Sequence, residues 1–83
     1  MHLKILAAER QVFSGEVQAL YAQGVEGWFG ILPGHAPAAF ALEDAPLRLV
    51  TESGERAFRV RAGLVHVRRE GVVVLADEVT EVA

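Results

Sequence analysis

The chain has 83 residues and no cysteine, so it is the size of one small domain and excludes disulfides and metal sites built on thiolates. Hydrophobic residues make up 52% of it, which suits a packed core and argues against disorder. No run approaches the roughly 18–20 apolar residues of a membrane-spanning helix, and residues 1–6 lack the pattern of a signal peptide. The net charge of −3 gives no basic surface for nucleic acid, so we expect a soluble domain that binds none.

The first third of the chain reads as strands. Leu3 and Ile5 alternate with His2 and Lys4, the period of a half-buried strand, and a polar break follows at residues 9–11. Val12 and Phe13 are the next apolar pair, and Ser14 and Gly15 after them predict a turn or a bulge. Residues 16–22 then predict a second strand, apolar on both sides and therefore with little exposed face.

Residues 24–37 predict a shaped loop. They hold four of the eight glycines, two of the three prolines and the only tryptophan. Glycine reaches positive φ without steric cost and proline fixes φ, so such a segment favours turns, with room for a short strand at residues 28–32. Large apolar side chains lie between the turn residues, and either the domain's own core or a partner must cover them.

The segment from residue 36 to residue 42 is ambiguous, because its alanines favour a helical turn. Beyond it the β pattern is clear. A turn at residues 43–46, a strand at 47–50 and a hairpin loop at 52–55 precede a return strand in which Phe58 and Val60 alternate with Arg59 and Arg61.

After a break at residues 62–63, another strand alternates Val65 and Val67 with His66 and Arg68. A turn at residues 69–71 leads into residues 72–76, an apolar run that predicts a strand covered on both faces. The tail, residues 77–83, shows no strong period. Short strands without a long helix define an all-β sandwich or barrel, and periodicity does not choose between them.

No grouping of catalytic or metal-binding residues is evident. Neither serine lies in a G-x-S-x-G context, and the three histidines are scattered. The glycine spacing is not that of a dinucleotide fingerprint, and no Gly-Lys-Ser/Thr phosphate loop occurs. We therefore expect no catalytic residue, no metal and no cofactor.

Two motifs allow both a structural and a functional interpretation. His35 is either a partner contact or pH-sensitive group, or a ring that satisfies backbone groups of its turn. Arg59, Arg61 and Arg68, with His66, form either a basic stripe or the ordinary solvated face of a sheet.

Three blocks of sequence, in order, resemble one family. Residues 26–37, EGWFGILPGHAP, are similar to the signature loop of the epsilon subunit of bacterial F-type ATP synthases, called delta in mitochondria. Residues 12–17, VFSGEV, and residues 72–77, VVVLAD, resemble a second block and the closing strand of that family. The resemblance implies one domain over residues 1–83, a β-sandwich of two antiparallel sheets with about ten short strands, and an extended segment at residues 36–42.

The resemblance also implies a function. Family members are non-catalytic subunits of the central stalk, which link the gamma subunit to the c ring so that ion flow through the membrane sector drives ATP synthesis. Such a subunit is peripheral, on the cytoplasmic face of the inner (plasma) membrane. The partner-binding residues expected here, toward the c ring and gamma, are Glu26, Trp28, Phe29, His35 and Phe40. At Trp28 this sequence departs from the family, which usually carries a polar, often acidic, residue; the tryptophan either fills the core or docks on a partner.

The family's C-terminal helical hairpin, which in some members binds ATP, would begin where this sequence stops, so we expect this chain neither to bind ATP nor to carry that arm. Two other functions remain open: a stand-alone β-sandwich adaptor that mediates protein–protein contacts without the motor, and, more remotely, a small-ligand binder with residues 24–37 as a lid.

Overall fold

The computed structural model describes residues 1–82 and, within them, ten β-strands and no helix. The strands are β1 His2–Leu6, β2 Gln11–Glu16, β3 Ala19–Gly24, β4 Gly27–Ile31, β5 Ala38–Ala41, β6 Pro46–Thr51, β7 Gly54–Arg61, β8 Leu64–Val67, β9 Val72–Leu75 and β10 Glu78–Val82. The all-β prediction is confirmed.

The strands form two five-stranded sheets. The first sheet has the order β2-β1-β9-β8-β5, and the second has the order β10-β7-β6-β3-β4. Every neighbouring pair is antiparallel except β1 and β9, which run parallel with Leu3 opposite Val72 and Ile5 opposite Val74. The chain is therefore a sandwich, as the resemblance implied, with one parallel pair that the sequence did not reveal.

The core lies between the sheets and is made by alternation along each strand. Val65 and Val67 of β8 in the first sheet and Phe58 and Val60 of β7 in the second sheet are all buried in it. No polar or charged residue among residues 1–82 is buried. Each fully buried aliphatic or aromatic side chain contributes roughly 1.5–3 kcal/mol, so this layer stabilises the sandwich.

Two predictions for the first third of the chain were wrong. Ser14 and Gly15 lie within β2, and the irregularity falls at Val12, since Ile5 pairs with Phe13 while Leu6 pairs with Gln11. The strand predicted at residues 16–22 is the end of β2, a crossing to the other sheet at residues 17–18, and then β3. Both stretches bury apolar side chains, so their composition hides the crossing.

Near the end of the chain, the structure differs from the expectations drawn from the sequence in two further ways. β9 is buried on one face only, because Val72 and Val74 point into the core while Leu75 is 42% exposed. The tail, which showed no period, contains β10, an edge strand paired with β7. Only Val79 of β10 is buried, so the strand carries almost no hydrophobic alternation.

Candidate partner-binding surface

The glycine-rich segment folds as a hairpin, a strand and a loop. Val25 and Glu26 form the tip between β3 and β4, closed by the pair Gly24 and Gly27. Gly27 has a φ of 128°, a region that side chains other than glycine rarely adopt. The Val25 N–H donates to the Ala41 carbonyl (3.0 Å), which ties the hairpin tip to the end of β5.

β4 places its two aromatic residues on opposite faces. Trp28 points outward and is 69% exposed, whereas Phe29 is half-buried and Ile31 fully buried. Successive side chains of a strand alternate between faces, which produces this division. Trp28 therefore does not fill the space between the sheets, and the structure leaves its indole available to another molecule.

Phe29 and Phe40 close the edge of the sandwich. Their rings stack with centroids 4.3 Å apart and planes inclined by 19°, which joins β4 of the second sheet to β5 of the first. This contact explains why β5 is extended although its alanines favour a helix. In the extended conformation Phe40 points inward onto Phe29, and the backbone of β5 pairs with β8. The extended segment implied by the resemblance is confirmed.

His35 belongs to a tight turn that the sequence encodes directly. The His35 N–H donates to the Leu32 carbonyl (3.0 Å), with Pro33 and Gly34 between them and a Gly34 φ of 89°. Proline followed by a positive-φ glycine defines a type II turn. The His35 Nδ1 donates to the Ala36 carbonyl (2.7 Å) and the ring lies 6.1 Å from that of Phe40, edge to face, so the imidazole supports the loop although it is exposed.

The five candidate residues do not form one patch. Phe29, Phe40 and His35 lie together at the β4–β5 edge, but the two phenylalanine rings are largely used against each other. Trp28 is on the outer face of the second sheet. Glu26 is at the opposite end of β4 from the His35 loop.

A second exposed apolar surface lies on the outer face of the first sheet, where sequence reasoning expected none. Strand register aligns Ala41 with Leu64, Leu64 with Leu75, and Leu75 with Leu6. We name these four residues the apolar row. Leu64 and Leu75 are 39% and 42% exposed, large values for leucines side by side. Leu75 was expected to be covered by the fold itself, and only the strand pairing shows that it is not.

The arginines do not form the basic stripe that one interpretation expected. Arg59 and Arg61 are on the outer face of the second sheet, whereas His66 is on that of the first. Arg61 is also paired with Glu78 (2.6 Å). The positive charge is divided between two faces and partly neutralised.

A cation–aromatic contact lies near Trp28. The Tyr21 ring covers Gly30, where an added Cβ would come within 2.8 Å of it, and the Arg48 guanidinium lies 5.2 Å from the Tyr21 centroid. Arg48 in turn binds Glu55 (2.9 Å). Tryptophan, tyrosine and arginine are the side chains most enriched at energetically important interface positions.

Among the charged side chains of residues 1–82, Arg56 and Glu81 form a pair whose pKa values are shifted. Arg56 donates to both carboxylate oxygens of Glu81 (2.8 and 2.9 Å), which lowers the pKa of the Glu81 carboxyl and raises that of the guanidinium. Arg56 also lies over the rings of Phe13 in β2 and Phe58 in β7. It therefore covers the core on the side away from the β4–β5 edge that Phe29 and Phe40 close.

Within residues 1–82, His, Asp and Glu side chains form no group of three that could hold a metal ion. The same residues contain no helix with the length and hydropathy that a membrane crossing requires.

These features define an all-β sandwich with an exposed tryptophan on one outer face and an apolar row on the other. The chain belongs to the family of the ATP synthase delta/epsilon chain β-sandwich domain, whose model matches residues 1–82. The resemblance found in the sequence is confirmed at this level.

Two solved structures are similar in fold. One is a chain of the Euglena gracilis mitochondrial ATP synthase (OSCP/F1/c-ring), 24% identical with a TM-score of 0.87 over 95% of this chain and 51% of that one. The other is from the central stalk and c ring of the Tetrahymena thermophila mitochondrial ATP synthase, 16% identical with a TM-score of 0.78 over 95% of this chain and 64% of that one. The present chain thus spans about half to two thirds of the length of these chains.

Proposed function

We propose that this protein is a non-catalytic central-stalk subunit of a bacterial F-type ATP synthase, linking the gamma subunit to the c ring so that ion flow drives ATP synthesis. The observation that carries the proposal is the family match over residues 1–82. In this role the chain lies at the cytoplasmic face of the plasma membrane, peripheral through its complex. In this role it catalyses no step of ATP synthesis and binds no ATP.

The two exposed surfaces support a subunit with two partners. In our proposal, the apolar row on the first sheet binds gamma, because contiguous exposed leucines favour a buried, largely apolar interface. Trp28, on the second sheet, binds the c ring. Glu26 and His35 lie at the two ends of β4 and would contact the partners at the rim, while Phe29 and Phe40 hold that edge in shape.

The placement of the apolar row and Trp28 on opposite faces of the sandwich matters for the mechanism. A body that transmits rotation must bind both partners at once, and surfaces on the two outer faces of a sandwich do not compete for space. The force then passes through the packed layer between the sheets. Close-packed protein interiors have low compressibility, so little of the motion would be lost in deforming the subunit.

The first test is co-expression with the gamma subunit of the same genome, followed by size-exclusion chromatography. We expect a one-to-one complex. Leu64→Glu, which places a charge in the apolar row, should abolish co-elution, whereas Thr80→Glu on the outer face of the other sheet should preserve it. Trp28→Ala should retain gamma and lose the c ring.

Other outcomes would replace the proposal. Separate elution of a folded monomer would favour the stand-alone adaptor. Co-elution that survives Leu64→Glu and fails with Thr80→Glu would move the gamma-binding surface to the second sheet.

A further inference from the structure

Three polar side chains on the outer face of the first sheet form a hydrogen-bonded series. His2 of β1 lies directly opposite Glu16 of β2, and Ser14 is two residues before Glu16 on the same face. The Ser14 Oγ is 3.2 Å from the His2 Nε2, and the His2 Nδ1 is 3.3 Å from a Glu16 carboxylate oxygen. All three residues are exposed.

The partners fix the proton positions. A carboxylate only accepts hydrogen bonds, so the His2 Nδ1 carries the proton and, in the neutral ring, the Nε2 accepts from the Ser14 hydroxyl. This is the order of groups that activates a hydroxyl: nucleophile, base, and a carboxylate that orients the base.

Glu16 is itself held in place by a neighbouring cation. Its second oxygen lies 3.5 Å from the ammonium of Met1, and that ammonium also donates to the Val17 carbonyl (2.9 Å). The Met1 side chain is 10% exposed. The Glu16 side chain is 75% exposed, and its two carboxylate oxygens have different partners, the Met1 ammonium and the His2 ring.

Positive charge accompanies the series. Lys4 is the direct cross-strand partner of Ser14, so its ammonium shares that face. Beside His2 lies a shallow cavity of about 180 Å³, whose lining includes His2, Lys4, Arg68, Glu70, Val72 and Val73. Two of these side chains are cations and one is an anion, which favours a ligand with a small anionic group.

We propose that Ser14 is an acyl-accepting site, activated by His2 and Glu16, for small anionic activated acyl donors such as acyl phosphates. The Ser14 Oγ attacks the acyl carbon and its proton passes to the His2 Nε2. The new Oγ–C bond forms as the C–O bond to phosphate breaks, phosphate leaves with the bonding electron pair, and the imidazolium returns its proton to solvent. One acyl group is transferred and the product is O-acyl-Ser14. The site lies on the same outer face of the first sheet as the apolar row, on the β1–β2 side of it, and its chemistry does not depend on the proposed stalk function.

The experiment uses the full chain with two probes, a fluorophosphonate and acetyl phosphate, and locates the modified residue by peptide mass spectrometry. A fluorophosphonate reports an activated serine, because the Oγ–P bond forms as fluoride leaves. Ser53, exposed in the β6–β7 hairpin, is the internal control. We expect both probes to modify Ser14, and Ser14→Ala to abolish that signal.

Variants then test the series itself. Removing a general base commonly costs 10²–10⁴-fold, so His2→Ala should slow fluorophosphonate labelling of Ser14 by about 100-fold. Added imidazole should restore part of the rate, a rescue that a merely structural histidine would not show. Glu16→Gln should give a smaller loss. All three positions are exposed, so the variants should keep the unfolding midpoint of the wild type.

Three results would overturn the proposal. Equal labelling of Ser14 and Ser53 would show that Ser14 is not activated. If His2→Ala left the labelling rate of Ser14 unchanged, His2 would not be its general base. Reaction with the fluorophosphonate but not with acetyl phosphate would exclude anionic acyl donors.

Discussion

Trp28 and Phe29 offer a matched test, because they are neighbouring aromatic residues of one strand that point in opposite directions. Replacing either by alanine removes a β-favouring aromatic, worth up to about 1 kcal/mol in a strand. Phe29→Ala also breaks the stack on Phe40 and empties part of the core edge. A core phenylalanine-to-alanine change costs about 3–5 kcal/mol, and since Phe29 is half-buried we expect about 2–3 kcal/mol.

Trp28→Ala should behave differently. The side chain is 69% exposed, so the free energy of unfolding should fall by about 1 kcal/mol or less. If Trp28 binds the c ring, the same change should weaken that binding by about 2 kcal/mol or more, the range of aromatic interface residues. Phe29→Ala, where it folds, should leave that binding closer to wild type.

Urea denaturation followed by far-UV circular dichroism gives the unfolding energies, since Trp28 is the only tryptophan and its fluorescence is lost in the variant. Pull-down with a detergent-solubilised c ring and gamma measures binding. A loss of stability of about 3 kcal/mol or more in Trp28→Ala would refute the outward placement. A Phe29→Ala protein as stable as wild type would refute the stacked edge.

Two other predictions concern the fold and its charges. Gly71→Ala should lower the free energy of unfolding by about 2–3 kcal/mol, because φ is 156° and the added Cβ would come within 2.7 Å of the His2 carbonyl oxygen. Gly27→Ala, strained in φ (128°) but with open space around the Cβ, should cost less in the same urea titration; equal costs would contradict the clash. The Arg56 hydrogen bonds lower the pKa of Glu81, so their stabilising effect is complete above the ordinary value of 4.5 and is lost as the pH falls below it. In an NMR titration, Arg56→Gln should move the Glu81 midpoint up; an unchanged midpoint would show that the pair does not form in solution.

Elements with one buried face were predictable from the sequence. β7 and β8 alternate strictly because one side of each packs in the core and the other meets solvent, so Phe58, Val60, Val65 and Val67 were placed correctly. The short strand in the glycine-rich segment was also predicted, since Pro33 and the glycines leave room for little else.

Elements whose conformation depends on distant residues were not predictable in this way. The crossing at residues 17–18 has no turn signature, and Val17 is buried as it passes between the sheets. β10 has one buried side chain and forms because β7 offers it an unpaired edge. Composition alone could not separate a strand covered on both faces from one covered on a single face, which is why Leu75 was misplaced.

The candidate surface shows the same division between local and long-range information. The sequence located the exposed tryptophan within a segment rich in turns, and local alternation then places Trp28 and Phe29 on opposite faces. It could not show that Glu26 and His35 lie at opposite ends of β4, since both belong to one continuous motif.

The apolar row is the strongest case of long-range information. Its residues come from the four adjacent strands β1, β9, β8 and β5, positions far apart in sequence that only strand register aligns. None of them is unusual alone, because single exposed leucines are common on protein surfaces. Their alignment on the face opposite Trp28 gives the sandwich two separated surfaces, and this separation, rather than any one residue, is what the proposed binding of two partners at once requires.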